Sequence, residues 1–170
     1  MQSKHLLRLS LAALLTASSM ANASVGQVRV VWDANPSSEA VIGFSMTSST
    51  STSQTVKYGP STDPNSWSTV IPVKRTYDGG GLTSYFARLT NLEADKEYFF
   101  QVCDNSGCNA STYFFRTAPT GTRALTLISG GDSRDSVTVR TQGNRLVSKI
   151  RPHAVFFSGD FTYDTTASEM

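Results

Sequence analysis

Residues 89–102 read LTNLEADKEYFFQV, and this stretch decides the fold of the first part of the chain. Leu89 and Leu92 flank the start of a short acidic turn, Tyr98 follows the turn, and a strand-like segment continues to Val102. This layout is typical of a tyrosine corner, in which a tyrosine near the start of a late strand hydrogen-bonds back to the preceding turn. The alternative interpretation is an ordinary strand tyrosine. The stretch predicts a β-sandwich.

Further short segments of β character surround this stretch. They lie at 28–32, 41–44, 55–58, 85–89 and 113–116. Turn-forming sequences rich in Asn, Asp, Pro, Ser and Gly separate several of them, at 35–38, 63–65 and 79–81. Short strands divided by such turns are typical of an antiparallel sandwich. We therefore predict an all-β domain over residues 24–117.

The first 23 residues have the three parts of a signal peptide. Lys4 and Arg8 give a positive start, Leu9–Leu15 is a short apolar run, and Ala21 and Ala23 form a small-x-small cleavage site. The run is shorter than the about 20 residues that span a bilayer. The sequence thus predicts an exported protein, periplasmic or secreted, with no membrane span.

The charge of the chain after cleavage argues against some partners. Of the 15 basic residues, Lys4 and Arg8 belong to the leader, and the remaining 13 equal the 13 acidic residues. A near-neutral chain lacks the positive surface that binds nucleic acid or anionic membranes. We therefore predict no nucleic-acid partner.

The two cysteines of the chain, Cys103 and Cys108, flank a strong turn sequence. Export makes a disulfide chemically possible. We predict that a disulfide staples a hairpin here, the alternative being two unpaired thiols.

The pattern changes after residue 117. Residues 118–123 are predicted to be a linker, and a continuous apolar strand follows at 124–129. A helix is predicted between Asp135 and Arg151, ended by Pro152, and a second apolar strand at 154–158. Strand, helix and strand make a βαβ unit of a parallel sheet, whose strands are normally buried on both faces. A single unit cannot bury its own sheet, so its strands need further partners.

Each apolar strand is followed by Gly-Asp, giving Asp132 and Asp160. Parallel strands of one βαβ unit point the same way, so both aspartates leave the same edge of the sheet. Neighbouring strands lie about 4.8 Å apart, which lets the carboxylates converge. Two hard oxygen ligands at the carboxyl edge of a parallel sheet favour a metal site.

These blocks resemble the metallophosphoesterase pattern, and Gly159-Asp160 with Tyr163 is similar to the purple acid phosphatases. The resemblance implies that Asp132 and Tyr163 bind iron and that Asp160 bridges to a second metal (Fe, Zn or Mn). Arg134 stands where the family usually has His or Gly. It cannot bind a metal, but it could contact a substrate phosphate.

The resemblance covers nearly all of the mature chain. Residues 24–117 resemble the family's fibronectin type III-like N-terminal domain, and residues 124–170 resemble an incomplete start of the α/β metallophosphoesterase domain. The family's later histidine blocks are missing, and His153 is predicted at the wrong end of its strand. The implied function is the N-terminal portion of an exported metal-dependent acid phosphatase acting on phosphate monoesters. Whether this chain is itself an enzyme stays open, and we expect it to be inactive and to bind metal at most weakly.

Two other functions compete with this one. The first is an exported fibronectin-like binding module without catalysis, for which the loop at 79–81 and Trp67 are possible contact points. The second is a GDSL-type esterase with Ser133 as nucleophile, which lacks a histidine base in reach. The sequence does not predict the oligomeric state.

Overall fold

The computed structural model describes residues 22–47, 50–76, 83–132 and 136–159. The strands of the first part of the chain, in order, are β1 (Val25–Val31), β2 (Ala40–Met46), β3 (Thr55–Gly59), β4 (Ser68–Val70), β5 (Val73–Thr76), β6 (Thr83–Leu89), β7 (Glu97–Asp104), β8 (Gly107–Cys108) and β9 (Tyr113–Arg116). A short 3-10 helix, Pro64–Ser66, lies between β3 and β4. Strand β10 (Leu127–Gly130), helix α1 (Val137–Ile150) and strand β11 (Ala154–Phe157) follow.

Strands β1 to β9 form two antiparallel sheets. One sheet has the order β1-β2-β6-β5, and the other has the order β4-β3-β7, with both β8 and β9 paired to β7. Strand orders of this kind are found in immunoglobulin-type sandwiches. The predicted all-β sandwich is confirmed.

The core of the sandwich lies between the two sheets. Phe44 and Ile42 of β2 and Phe100 and Val102 of β7 are almost completely buried. Aromatic rings continue the core toward β9, where Phe115 stacks on Tyr98 with ring centroids 5.7 Å apart. Burying a large apolar side chain stabilises the folded state by about 1.5–3 kcal/mol, so these inward residues hold the sheets together.

The tyrosine corner is present. The hydroxyl of Tyr98 accepts a hydrogen bond from the backbone N–H of Glu93 at 3.0 Å. Thr117 reinforces the same turn, because its Oγ1 donates to the Glu93 carbonyl at 2.6 Å and accepts from the Lys96 N–H at 2.9 Å. Thr117 is fully buried. The turn before β7 is therefore held by Tyr98, which follows it directly, and by Thr117 at the end of the sandwich.

Strands β4 and β5 were not predicted from the sequence. Their residues are mostly exposed, and β5 is exposed at every position. β4 pairs with β3 at the edge of one sheet, and β5 pairs with β6 at the edge of the other. Backbone pairing alone defines such edge strands, so the hydrophobic alternation that reveals a core strand is missing.

The start of the predicted linker is bonded to the sandwich. The N–H of Ala118 donates to the Pro36 carbonyl at 2.8 Å, and the N–H of Asp95 donates to the Ala118 carbonyl at 3.1 Å. Arg123, at the other end of the linker, forms an ion pair with the Asp95 carboxylate. Both ends of this segment are therefore anchored beside the tyrosine corner.

Strands β10 and β11 pair in parallel, with α1 between them in the sequence. The Ser136 hydroxyl accepts a hydrogen bond from the Val139 N–H and caps the start of α1, and Arg151 ends it in a left-handed conformation. The helix lies within its predicted range. β10 begins at Leu127, three residues later than predicted, because its pairing with β11 starts at Ala154.

The apolar residues of this parallel pair are exposed rather than buried. Val155 is 49% exposed and Phe156 58%, and on the helix Leu146 is 59% exposed. In the described residues these strands lack the burial on both faces that is usual in a larger parallel sheet. It follows that a two-stranded sheet with one helix leaves most of its apolar surface open, as expected for a unit that lacks neighbouring strands.

Several predicted features lie outside the described residues, among them the signal peptide up to residue 21, the loop at 79–81 and the chain beyond Gly159. Within the part that is described, no helix has the length and apolar character to cross a bilayer.

Candidate functional site

The two strands predicted to carry metal ligands end side by side. Their register pairs Leu127 with Ala154 and Gly130 with Phe157. The N–H of Ser158 donates to the Gly130 carbonyl at 2.7 Å, which extends the pairing one step past β11. Residues that follow Gly130 and residues that follow Phe157 therefore emerge at the same edge of this small sheet, which we call the rim.

Asp132 lies at the rim with its carboxylate against the backbone of the second strand end. A Cβ placed on Gly159 would lie 2.7 Å from Asp132 Oδ1. Gly159 also has a φ of +95°, which side chains rarely adopt, so glycine is required here for two independent reasons. The carboxylate of Asp132 is therefore packed against the residue that directly precedes Asp160 in the sequence.

Asp132 itself has a φ of 49°. Aspartate tolerates this left-handed conformation better than most residues because its short polar side chain can hydrogen-bond locally. The conformation turns the chain sharply after β10 and keeps Asp132 beside β11 instead of continuing along the strand. Sharp turns of this kind at strand ends are common at ligand sites, although they are not themselves evidence of one.

The other predicted site residues lie outside the described part of the chain: Ser133, Arg134, Asp160 and Tyr163. Their positions relative to Asp132 stay predictions. Within the described ranges, no group of three or more His, Cys, Asp or Glu side chains could hold a metal ion. Asp132 is thus the single predicted metal ligand whose placement is described.

His153 stands at the entrance of β11, the end of the strand away from the rim. Its backbone N–H donates to the Thr126 carbonyl at 2.8 Å, and its Nδ1 accepts from the Thr126 N–H at 3.0 Å. The ring thereby extends the β10–β11 pairing backward by one residue. A histidine bonded in this way at the entrance of the strand has a structural role there, as the sequence predicted.

A cleft of about 700 Å³ separates the sandwich from the end of α1 and the start of β11. From the sandwich it is lined by Trp32, Glu97 and Phe114, and from the other side by Val147, Arg151 and His153. The Nε1 of Trp32 is shielded from solvent and has no hydrogen-bond partner among the described residues. No local sequence pattern indicates this cleft, because its two walls come from segments 28 or more residues apart in the chain.

Arg151 crosses the cleft. Its guanidinium donates to Glu97 Oε1 at 2.7 Å and lies over the Phe114 ring, 4.2 Å from the ring centroid. An arginine can do both at once because its planar group pairs at its edge and stacks with its face. This contact ties the end of α1 to strands β7 and β9.

The predicted disulfide is formed. Cys103 and Cys108 face each other across the β7–β8 hairpin and are bonded. The turn between them is organised by Asp104, whose carboxylate accepts hydrogen bonds from Ser51 and Ser106. The disulfide closes one end of the sandwich and is separate in the fold from the rim.

Trp67, a possible contact point of a binding module, is half-buried. Its indole packs where a Cβ on Gly59 would otherwise lie, and its Nε1 donates to the Ser61 carbonyl at 2.8 Å. These contacts give Trp67 a structural role in the β3–β4 connection and reduce the part of its ring that a ligand could contact.

Comparison with solved structures gives only distant similarity. The solution structure of the sensor domain of the anti-sigma factor RsgI4 from Pseudobacteroides cellulosolvens matches with a TM-score of 0.43 and 13% identity, over 63% of this chain and 82% of that one. A shorter form of that sensor domain matches with a TM-score of 0.40 and 15% identity, over 61% and 99%. These scores are too low to indicate function.

Comparison by sequence is more informative. No curated protein matches the chain. The family model described as the purple acid phosphatase N-terminal domain matches residues 25–117. These residues include the described strands β1 to β9 of the sandwich and the tyrosine corner. The chain therefore belongs to the family of proteins with a purple acid phosphatase N-terminal domain.

Proposed function

We propose that this chain is the N-terminal portion of an exported, metal-dependent phosphomonoesterase of the purple acid phosphatase type. The observation that carries the proposal is the packing of the Asp132 carboxylate against Gly159, at the shared end of two parallel strands. Membership of residues 25–117 in the family adds independent support. In this proposal the sandwich supports the start of the catalytic domain.

The residues predicted at the rim carry the kinds of oxygen ligand that bind metal ions. Asp132 supplies a carboxylate oxygen there, and Asp160 and Tyr163 would add a second carboxylate and a phenolate. Hard oxygen donors of this kind suit ferric iron and small divalent cations. When bound, a metal pair of this type would neutralise the charge of a phosphate ester and activate water. Arg134 would contribute a charged donor for phosphate oxygens.

Oxygen ligands alone make an incomplete site for such chemistry. The family's later histidine blocks do not occur in residues 1–170. We therefore expect weak metal binding and no phosphatase turnover by this chain. The exposed apolar side chains of β10 and β11, among them Leu127, Val155 and Phe156, support the need for further strands of a catalytic domain.

A titration with metal tests the proposal. Ferric iron, kept soluble with a weak chelator, is added to the purified chain, and the visible absorption of an iron–phenolate complex is measured. We expect a weak band that is lost in Tyr163→Phe and reduced in Asp132→Asn. Glu93→Gln is the control, because this exposed carboxylate belongs to the sandwich. A band that is the same in all four proteins, or no band at any iron concentration, contradicts the metal assignment.

A turnover assay tests the expected inactivity. The metal-loaded chain is incubated with p-nitrophenyl phosphate at acidic and neutral pH, and release of p-nitrophenol is followed. We expect no release above the metal-only background. Turnover that depends on Asp132 would show that the rim is sufficient for catalysis and would contradict the expectation that histidine ligands are needed.

A binding module without catalysis is the second candidate function. The observation that favours it is that, among the described residues, the large apolar side chains that are fully buried belong to the sandwich, which closes its own core. The iron titration separates the two functions, because a binding module has no reason to form an iron–phenolate complex that depends on Asp132.

A further inference from the structure

Arg151 attaches the end of α1 to the sandwich. Arg151 is the residue that ends the helix, with a φ of 52° and its N–H bonded to the Val147 carbonyl at 3.1 Å. From this fixed position its guanidinium reaches Glu97 on β7 and the ring of Phe114 on β9. The helix end is therefore held to the edge of the sandwich by an ion pair and a cation–π contact.

The turn that contains Arg151 is also joined to the start of β10. His153 and Thr126 exchange two hydrogen bonds, of 2.8 and 3.0 Å. Thr126 lies just after the linker, so a movement of the Arg151 turn must carry the end of the linker with it. The contact of Arg151 with the sandwich, the turn that contains Arg151 and the end of the linker are therefore mechanically connected.

A second attachment lies at the linker itself. The Asp95 carboxylate pairs with Arg116 of β9 and with Arg123 at the end of the linker. Asp95 is the least exposed member of this group, with 22% side-chain exposure against 45% for Arg116 and 59% for Arg123. This pair of bonds anchors the chain where it leaves the sandwich, and Arg151 anchors it again one helix later.

The cleft lies beside the first of these attachments, and the Arg151–Glu97 contact that crosses it is polar and partly exposed. Side-chain exposure is 53% for Arg151 and 33% for Glu97. Interfaces within a chain that lack a large apolar contact are expected to permit relative motion. A polar contact of this kind can open without exposing a buried core.

We propose that Arg151 is a latch that holds the strand–helix–strand segment on the sandwich, and that its release opens the cleft beside Trp32. The segment then moves together with the end of the linker at Arg123, while the start of the linker stays bonded to the sandwich through Ala118. The latch sets the direction in which β11 runs toward the rim. It is a property of the fold and does not depend on the proposed phosphatase chemistry.

Limited proteolysis with trypsin tests the latch on the full chain. Trypsin cleaves after Arg123, and the Arg151–Pro152 bond resists it. Cleavage of a transiently opened segment follows the population of the open form. Loss of both the ion pair and the cation–π contact in Arg151→Gln should raise the rate of cleavage after Arg123 by about five- to tenfold. Glu97→Gln, which removes the ion pair alone, should raise it by about two- to fivefold.

The control and the double variant make the test specific. Arg145→Gln changes an exposed arginine on the same helix and should leave the rate unchanged. The effects of Arg151→Gln and Glu97→Gln should be less than multiplicative in the double variant, because the two residues act through one contact. Glutamine and arginine have a similar energetic cost in the left-handed backbone conformation of residue 151. The substitution therefore does not change the backbone strain at the helix end.

The result that overturns the proposal is a cleavage rate after Arg123 that is the same in wild type, Arg151→Gln and Glu97→Gln. Circular dichroism verifies that each variant keeps the sandwich. Acrylamide quenching of Trp32 in a Trp67→Phe background measures the size of the opening, because Trp32 lines the cleft and is the one remaining tryptophan. A rise in cleavage with unchanged quenching supports a latch whose open form is a minor population.

Discussion

The hydroxyl of Tyr98 accepts a hydrogen bond from the backbone N–H of Glu93 at 3.0 Å, five residues earlier in the chain. This bond closes the turn that leads into β7, the central strand of its sheet. Its partners are local in sequence, which is why the sequence alone could predict it. Phe115 covers the tyrosine ring from the other side, so the bond is partly shielded from water.

Replacement of Tyr98 by phenylalanine should lower the free energy of unfolding by about 1–2 kcal/mol, because it leaves the Glu93 N–H without its partner. Chemical denaturation measures the change. Tyr113→Phe is the matched control, since the Tyr113 hydroxyl has no hydrogen bond among the described residues, and it should cost less than about 0.5 kcal/mol. Equal effects of the two substitutions would show that the corner bond contributes nothing.

The sandwich could be predicted because its signals are local. The alternation of β6 and β7 indicates which of their side chains face the core, and the short apolar run of β2 is buried along nearly its whole length. The edge strands β4 and β5 lack such a signal because pairing with a neighbour, rather than burial of their own side chains, creates them. Sequence reasoning therefore identified the core strands and missed two edge strands.

The candidate site was predictable only in part. The two Gly-Asp blocks indicated a common rim, and the described end of each strand, with Asp132 packed against Gly159, agrees with that geometry. The latch between Arg151 and Glu97 could not be predicted, because it joins residues 54 positions apart through side chains. An exposed arginine at a helix end has many possible partners, and only the packed fold selects one.

Removal of the disulfide should destabilise the sandwich. The double variant Cys103→Ala/Cys108→Ala should lose about 2 kcal/mol of unfolding free energy, the value that loop-closure entropy gives for a loop this short. Denaturation of the wild type with and without a reductant measures the same difference. A reduced wild type as stable as the oxidised protein would mean that the hairpin needs no covalent closure.

Acid should weaken the hairpin loop through Asp104. Burial is the largest influence on the pKa of Asp104 and raises it, but hydrogen bonds from Ser106 and Ser51 and from backbone N–H groups together lower the pKa below its usual value. A carboxylate with a lowered folded-state pKa stabilises the fold above the unfolded-state value of about 3.9. That stabilisation is lost as the pH falls through the folded-state pKa.

Asp104→Asn should therefore make the stability of the sandwich less dependent on pH below about pH 4, as measured by denaturant unfolding at a series of pH values. Asp33 should act in the same direction, because its hydrogen bond and ion pair with Arg88 lower the pKa of its carboxyl group. A pH profile that is steeper in either asparagine variant than in the wild type would contradict the assigned direction.

Two glycines should respond to alanine in opposite directions. A Cβ on Gly59 of β3 would strike the indole of Trp67, whereas a Cβ on Gly143 of α1 would meet nothing within 4 Å. Overpacking a buried site costs about 1–3 kcal/mol, so Gly59→Ala should destabilise the sandwich. Alanine is favoured over glycine within a helix by about 0.5–1 kcal/mol, so Gly143→Ala should stabilise α1. Denaturation of the sandwich, followed by near-ultraviolet circular dichroism, measures the first effect, and thermal loss of the far-ultraviolet helix signal measures the second. If Gly59→Ala proves neutral, the Trp67 ring must be free to move away from β3, which would restore it as an accessible contact surface for a binding partner.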